Sequence, residues 1–233
     1  MKPALIFDYD GTIHNTLHIY EPSFRRTFKW LVDEGYTEYR DISSERIASW
    51  LGINSVDMWN SFLPDLPDDI KAQASAMTGQ GMTERILSHQ ASWYEGATEV
   101  LDALKADGYD MYVLSNCKIA YRDANMKEFG MDRWFKDFIA CESYGFAPKT
   151  EIIKKLSPKI NAPLIIIGDR DKDIECAKAC NGTSIGCLYG YGSEEELSDA
   201  DYLIKDIREI INCISDNIKK SRIILLFLLL IQP

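Results

Sequence analysis

Two aspartates spaced one residue apart follow a short apolar stretch near the start of the chain. Asp8 and Asp10 stand in the sequence LIFDYDGT, residues 5–12. Side chains at positions i and i+2 of a strand share a face, so both acids can approach one reaction centre. A carboxylate can attack phosphorus to form an aspartyl phosphate, while a second acid handles protons. The pattern indicates phosphoryl transfer, although Asp and Gly are also common in ordinary turns.

A second group of acids follows another apolar stretch, in the sequence GDRDKD at residues 168–173. Asp169 and Asp173 are four residues apart across an expected helix start, which places them on one side of its first turn. Together with Asp8 they form an all-oxygen set suited to Mg²⁺. Asp171 falls off that face, and we expect it to cap the helix.

Other polar residues also follow predicted strands. Ser115 and Asn116 come directly after an apolar stretch, and they can donate hydrogen bonds to phosphate oxygens. Lys149 stands at an expected helix start, where an ammonium group and free backbone amides can meet an anion. We expect Arg170 and Lys172 to be surface or supporting charges.

The elements that must position these residues alternate along the chain. Predicted strands cover 4–7, 111–114, 138–141, 164–167, 184–188 and 202–204, and predicted helices cover 97–107, 121–129, 151–156 and 172–180. Such alternation with continuously apolar strands predicts a Rossmann-like α/β fold with a parallel sheet covered on both faces. Ligands bind outside the carboxyl ends of such strands, so the polar residues above are expected to converge on one edge.

The segment 16–90 shows helical periodicity and no convincing strand, which predicts an α-helical cap domain inserted after the first strand. Residues 1–15 and 91–220 are then the α/β core domain, and residues 221–233 form an apolar C-terminal tail. Predicted cap helices cover 22–34, 43–51 and 56–62.

Particular cap residues carry further expectations. We expect the cap tryptophans Trp30, Trp50 and Trp59 to be core residues, and residues 51–53 to be a specificity loop. His14 and His18 lie near the expected hinge and receive no catalytic role.

Composition excludes some classes of function. The net charge is −10 over 233 residues, with no basic stripe, which argues against nucleic-acid binding. Six cysteines occur without a Cys-x-x-Cys pair, and no signal segment precedes the first strand, so we expect a cytoplasmic protein. The apolar run 223–231 is too short to span a bilayer, and we expect it to fold against the domain or to be irrelevant to activity; a contact with a membrane surface or a partner is the alternative.

These motifs, in this order, resemble the haloacid dehalogenase (HAD) superfamily up to about residue 217. The superfamily's first motif, Asp-x-Asp-Gly-Thr, matches residues 8–12, and its Gly-Asp-x-x-x-Asp motif matches residues 168–173. Its Ser or Thr motif matches Ser115 and its lysine motif matches Lys149. The segments after residue 167 resemble the phosphoglycolate phosphatase-like branch, in which the helical insertion is called a C1 cap.

The resemblance implies a role for each matched residue. Asp8 would be the nucleophile and Asp10 the general acid and base. The expected phosphate-binding residues are Gly11, Thr12, Ser115, Asn116 and Lys149, and the expected metal ligands are Asp8, Asp10, Asp169 and Asp173. Asn15, Cys117 and the proline before Lys149 depart from the branch's usual pattern and blur the substrate.

The sequence thus predicts a Mg²⁺-dependent phosphatase acting on a small phosphate ester, with phosphoglycolate or a sugar phosphate ahead of pyrophosphate or a nucleotide. The acid at position 10 favours phosphate esters over alkyl halides, which need no leaving-group proton. A phosphosugar mutase of the same fold and a catalytically silent phosphate-binding protein stay open. A phospho-receiver signalling module is disfavoured. In such modules the acidic cluster comes early and the lysine last, whereas here Asp169 and Asp173 follow Lys149. Substrate identity and oligomeric state stay open.

Overall fold

The computed structural model describes residues 2–53 and 55–219, so the apolar tail lies outside the described residues. The strands are β1 (Ala4–Phe7), β2 (Met111–Ser115), β3 (Phe135–Ala140), β4 (Leu164–Gly168), β5 (Thr183–Cys187) and β6 (Tyr202–Ile204). The helices are α1 (Leu17–Asp33), α2 (Ser44–Ala48), α3 (Ser55–Phe62), α4 (Asp68–Leu87), α5 (Ala97–Ala106), α6 (Ile119–Phe129), α7 (Lys149–Ile160) and α8 (Asp171–Ala179). Residues 210–219 are also helical.

The six strands form one parallel sheet in the order β3-β2-β1-β4-β5-β6. Strand β1 lies in the interior, where Phe7 pairs with Val113 on one side and with Ile167 on the other. Helices α5 and α6 and the 210–219 helix cover one face, and α7 and α8 cover the other. The predicted α/β fold is confirmed, and the interior strands β1 and β4 are buried at every position because both faces are covered.

Helices α1 to α4 form the segment inserted after β1, and they enclose a hydrophobic cluster of their own. Trp50 and Trp59 are fully buried in this cluster, as expected, whereas Trp30 is half-buried beside Tyr36. The chain enters and leaves the segment side by side, because the Asn15 amide donates to the carbonyl of Ser92 at 3.0 Å. The domain division at these crossings stays a prediction.

Helix α4 was not predicted, because its buried face is made of small residues. Its buried positions are Ala74, Thr78, Gly81 and Ile86, which give no stripe of large apolar side chains. A β-carbon at Gly81 would lie 2.9 Å from the hydroxyl of Ser23 on α1, so the two helices approach closely at this point. The pattern that identifies most amphipathic helices is therefore absent from this one.

Within the described residues, no helix combines the length and apolar character needed to cross a membrane.

Candidate active site

The site is built where the two neighbouring interior strands β1 and β4 end. Asp8 and Asp169 are the first residues after these strands, and the register that pairs Phe7 with Ile167 sets Asp8 opposite Gly168, one residue before Asp169. The Asp8 amide donates to the carbonyl of Ile167 at 2.7 Å, which extends the pairing by one residue. Both carboxylates are buried, at 6% and 0% exposure. The strands therefore hold the two acids on a rigid support.

A buried lysine lies between two of the acids. Lys149 begins α7, and its Nζ is 2.7 Å from Asp8 Oδ1 and 2.8 Å from Asp173 Oδ1. Burial opposes the charge of Lys149, but the two carboxylates outweigh this effect and raise the pKa of its ammonium well above the usual value. Lys149 is therefore a permanent cation at the centre of the site.

Among the described residues, three carboxylates share the Lys149 ammonium. Ligand oxygens of Asp8, Asp169 and Asp173 all lie within 4.8 Å of one another. Burial is the main reason that the pKa of Asp8 rises to about 7, and Lys149 offsets only part of that effect. Burial and the neighbouring carboxylates also raise the pKa of Asp169 well above its usual range. When all three acids are ionised the site carries more negative charge than Lys149 balances, which fits a hard divalent cation held by oxygen ligands.

Glycine at position 11 allows the loop after β1 to pass close to Asp169. Gly11 has φ +87°, a left-handed conformation, and a β-carbon there would overlap the Asp169 carboxylate. That carboxylate is fixed by the Tyr191 amide at 2.7 Å from Oδ2 and by the Thr12 hydroxyl at 3.3 Å from Oδ1. The loop therefore needs a residue without a side chain, whichever ligand it binds.

Asp10 lies outside the cluster of three acids and has polar partners of its own. Thr16 Oγ1 and Tyr121 Oη donate to Asp10 Oδ1 at 2.6 and 2.7 Å, and His14 Nδ1 lies 3.5 Å from the same oxygen. Burial opposes ionisation of Asp10, but the neighbouring His14 and the hydrogen bonds from Thr16 and Tyr121 outweigh burial and lower its pKa. The two acids of the first motif thus have opposite environments. A metal-binding role for Asp10 stays a prediction.

The remaining expected phosphate-binding residues lie at the end of β2. Ser115 is buried, and since Val113 pairs with Phe7, Ser115 stands at the level of Tyr9 on the neighbouring strand. Asn116 is the next residue and is exposed. Both are at the carboxyl edge that carries Asp8, as expected, and their contacts with phosphate stay predictions.

The start of α8 differs from the expectation. Asp171 was expected to cap the helix, but Arg170 occupies the cap position and Asp171 is the first helical residue. The Asp173 carboxylate accepts the Arg170 amide at 3.2 Å, so it supplies the cap from inside the helix. The expectation failed because the acid whose carboxylate reaches the free amide is Asp173, the third residue of the helix, and not Asp171.

The sequence analysis missed several residues that support the site. Arg170 was expected to be only a surface or supporting charge. In the structure it donates to the carbonyl of Leu51 and, at 2.7 Å, to Glu196, and so it links the acidic loop to the predicted specificity loop. Tyr121 and Thr16 hold Asp10 but belong to no motif. Their contacts depend on how α1 and α6 pack, which no local pattern reveals.

Comparison with known proteins places these features in context. A family model described as haloacid dehalogenase-like hydrolase matches residues 5–187. The chain is 23% identical over 219 residues to pyrophosphatase PpaX of Listeria monocytogenes serotype 4b, covering 91% of this chain and 96% of that protein. It is 24% identical over 234 residues to glyceraldehyde 3-phosphate phosphatase of Methanocaldococcus jannaschii, covering 95% and 100%.

The fold has a solved counterpart as well. The crystal structure of a predicted phosphoglycolate phosphatase from Haemophilus somnus 129pt superposes with a TM-score of 0.77 at 21% identity, covering 91% of this chain and 97% of that one. At this identity the likeness supports the fold alone.

Proposed function

The chain belongs to the haloacid dehalogenase-like hydrolase family, and from that premise we propose that it is a Mg²⁺-dependent phosphatase of small phosphorylated metabolites. One observation carries the proposal. Asp8 lies at a strand end in contact with Lys149 and within 4.8 Å of two further buried carboxylates, while Asp10 is held separately two residues away. A nucleophile, a fixed cation, a cation site and a second acid are thus present together.

In the first half of the reaction Asp8 attacks phosphorus. A bond forms between an Asp8 oxygen and phosphorus while the bond from phosphorus to the ester oxygen breaks, and the leaving oxygen takes a proton from Asp10. Lys149 balances charge on the phosphoryl oxygens and holds Asp8 in line. Ser115 and the amides of residues 11 and 12 are the proposed donors to the remaining oxygens.

In the second half Asp10 acts as a base. It accepts a proton from water as the water oxygen bonds to phosphorus, the bond to Asp8 breaks, and phosphate leaves. Asp8 regains its charge and Asp10 regains its proton, so the net reaction consumes one ester and one water. The hydrogen bonds that lower the pKa of Asp10 favour its charged form in the free protein. For the first turnover we propose that Asp10 takes its proton from solvent as the negative substrate binds, because the added negative charge opposes ionisation.

The three clustered carboxylates would hold the metal. Asp8, Asp169 and Asp173 offer only oxygen atoms, which suits Mg²⁺, and their charge exceeds what Lys149 offsets. When bound, Mg²⁺ supplies charge screening between an anionic nucleophile and an anionic phosphate.

The substrate is proposed to be a small phosphate ester. Relatives at 23–24% identity are named as phosphatases of glyceraldehyde 3-phosphate and as pyrophosphatases, so the chemistry is shared while the leaving group differs. The inserted helices and the loop at 51–53 are proposed to choose that leaving group. A cytoplasmic location is proposed with it, in keeping with the free thiols of Cys117, Cys141, Cys176, Cys180 and Cys187.

The proposal is tested by phosphate release from phosphoglycolate, glyceraldehyde 3-phosphate, pyrophosphate and 4-nitrophenyl phosphate, each with Mg²⁺ or with EDTA. We expect the wild type to release phosphate from at least one of them only with Mg²⁺, and Asp8→Asn to fall to background because the nucleophile is gone. Acid quenching followed by mass spectrometry should show one phosphoryl group on the peptide that contains Asp8.

The matched control is Asp171→Asn. This change removes an acid from the same loop, but Asp171 is half-exposed and outside the clustered carboxylates. It should keep wild-type activity. Equal hydrolysis by wild type and Asp8→Asn would overturn the proposal, and phosphoryl transfer between sugar positions without net release would point to a mutase instead.

A further inference from the structure

The hydrogen bonds to Asp10 are one-sided. Among the described residues, the contacts made by Thr16, Tyr121 and His14 all end on Oδ1, at 2.6, 2.7 and 3.5 Å. The three partners are buried, at 1%, 9% and 0% exposure, while the Asp10 side chain keeps 20% exposure. One oxygen is therefore anchored inside the protein, and the other, Oδ2, is the oxygen that can face a substrate.

Counting protons fixes the direction of each bond. A hydroxyl group has one proton, and the short contacts to an ionised Asp10 require Thr16 and Tyr121 to donate theirs to Oδ1. The same two hydroxyl oxygens lie 2.9 and 3.0 Å from His14 Nδ1. Each oxygen can then only accept there, so the proton of a neutral His14 must be on Nδ1.

Two observations agree with this tautomer. His14 Nε2 is buried and has no hydrogen-bond partner among the described residues, which an unprotonated ring nitrogen tolerates better than a buried N–H group would. The ring is also held in place by stacking on Tyr9, with centroids 5.1 Å apart. His14 thus faces both hydroxyls with one fixed donor, and this directs both hydroxyl protons toward Asp10.

We propose that Tyr121 and Thr16, oriented by His14, act as positioning residues that clamp Oδ1 of Asp10 and so present Oδ2 to the leaving oxygen and then to the attacking water. This inference rests on the proposed function of Asp10 as acid and base. The two hydroxyls come from different parts of the chain: Tyr121 belongs to α6, and Thr16 is the residue that precedes α1. The clamp therefore joins the core to the start of the inserted segment at the proton-transfer group.

The clamp predicts a defect that depends on the leaving group. An alkyl phosphate needs a proton on its leaving oxygen, whereas 4-nitrophenolate leaves without one. Tyr121→Phe should lower kcat/KM roughly 10-fold to 100-fold for the best alkyl phosphate of the panel, with little change in kcat/KM for 4-nitrophenyl phosphate. A loss of the same size on both substrates would overturn the clamp, because general structural damage does not distinguish leaving groups.

The second half of the reaction supplies another readout. Asp10 also activates water, so with 4-nitrophenyl phosphate Tyr121→Phe should give a burst of nitrophenolate followed by slow turnover as the aspartyl phosphate accumulates. Rapid-quench measurement of phosphoenzyme would show this directly. A wild-type rate of phosphoenzyme hydrolysis in the variant would count against the clamp.

Conservative variants of Thr16, which carries the second hydroxyl, test whether misfolding explains the defect. Thr16→Val removes the hydroxyl at nearly constant volume and should show the same leaving-group dependence, while Thr16→Ser keeps the hydroxyl and should restore wild-type behaviour. Tyr20→Phe is the matched control, because Tyr20 is buried to a similar degree, at 8% exposure against 9%, but its ring packs beside Phe24 in the inserted segment. If Tyr20→Phe reproduced the defect of Tyr121→Phe, the contact with Oδ1 would not be its cause.

Failure of the clamp differs from failure of the proposed function. If the chain is not a phosphatase, wild type and Asp8→Asn behave alike on every substrate. If only the clamp is wrong, Asp8→Asn is inactive and Tyr121→Phe loses both substrates equally or neither.

Discussion

At the scale of single residues, the site has more negative than positive charge when its acids are ionised. Asp8, Asp169 and Asp173 face one ammonium, that of Lys149, and all four side chains are buried. Burial magnifies both the attraction to Lys149 and the repulsion between the acids, because little water is present to screen them. The free protein must therefore be less stable when these acids are ionised than when one holds a proton.

This charge predicts how stability depends on pH without metal. The pKa of Asp8 is about 7 in the folded protein, above its ordinary value of 3.8. Between about pH 4 and pH 7 the folded state binds a proton that the unfolded chain has released, so stability falls as pH rises through this window. In EDTA, urea unfolding should show the stability of wild type relative to Asp8→Asn decreasing from pH 5 to pH 7.5. A constant difference would contradict the raised pKa.

Removing the single cation should be far more damaging than removing a surface cation. Lys149→Met leaves buried acids without a partner and is expected to cost about 3–5 kcal/mol of unfolding free energy. Lys172→Met is the control, because Lys172 is 57% exposed and such changes usually stay within about 0.5 kcal/mol. Equal effects of the two variants in urea unfolding would show that Lys149 is not the main balance for the acids.

Some of these residues could be read from the sequence and others could not. Asp8 and Asp169 each follow an apolar strand, and Lys149 stands at a helix start. The rule that the carboxyl ends of parallel strands meet at one edge was enough to predict that they lie together. Tyr121 reaches Asp10 across 111 positions of the chain, and that contact depends on how α6 packs. A lone tyrosine in a helix carries no signal of such a role.

At the scale of elements, the loop that carries the acids is tied to the inserted segment by one side chain. Arg170 donates to the Leu51 carbonyl and to Glu196, and Gly52 lets its stem pass, because a β-carbon there would lie 3.2 Å from Arg170 Cγ. Gly52 also has φ +86°, which disfavours any other residue. The predicted specificity loop is therefore in contact with the loop that carries Asp169.

Removing the hydrogen bonds of Arg170 should let the loop at 51–53 open more often without unfolding the protein. A hydrogen bond from a charged donor contributes enough that Arg170→Met should reduce protection of the amides around 49–53 by roughly tenfold in hydrogen exchange. Arg208→Met is the control, because Arg208 pairs with Glu95 and Asp206, away from this loop. Unchanged protection in Arg170→Met would mean that other contacts hold the loop.

Elements were predictable where their large apolar residues formed a clear pattern. The sheet strands were found because continuous runs such as 164–167 are buried on both faces. Helix α4 packs through Ala74, Thr78 and Gly81, so it had no pattern to find. The start of α1 was placed five residues late, because Pro22 was read as a helix start and lies inside the helix.

At the scale of the whole molecule, the inserted segment and the sheet have separate hydrophobic interiors. Phe24 is fully buried among cap aromatics, with ring centroids 5.1 Å from Trp50 and 5.8 Å from Trp59. Phe138 is buried against the sheet, with its ring 5.1 Å from Tyr9. The two rings belong to different clusters.

Matched truncations should therefore act locally. Phe24→Ala and Phe138→Ala should each cost about 3–5 kcal/mol in the cluster that they leave. In hydrogen exchange, Phe24→Ala should speed exchange mainly in α1 to α4, and Phe138→Ala mainly in β1 to β4. Equal acceleration of both regions by Phe24→Ala would show that the insertion and the sheet unfold as one unit.

The position of β1 inside the sheet has a consequence for biosynthesis. Leu5 pairs with Met111 on one flank and with Ile165 on the other, so both neighbours of this strand emerge from the ribosome long after it does. The segment that delivers Asp8 is strongly apolar and has no strand partner until residues 111–115 have been translated, and it lacks its second partner until residues 164–168 follow. Until then the apolar segment is open to binding by nascent-chain chaperones, and Asp8 reaches its position beside Lys149 only after α7 has been translated.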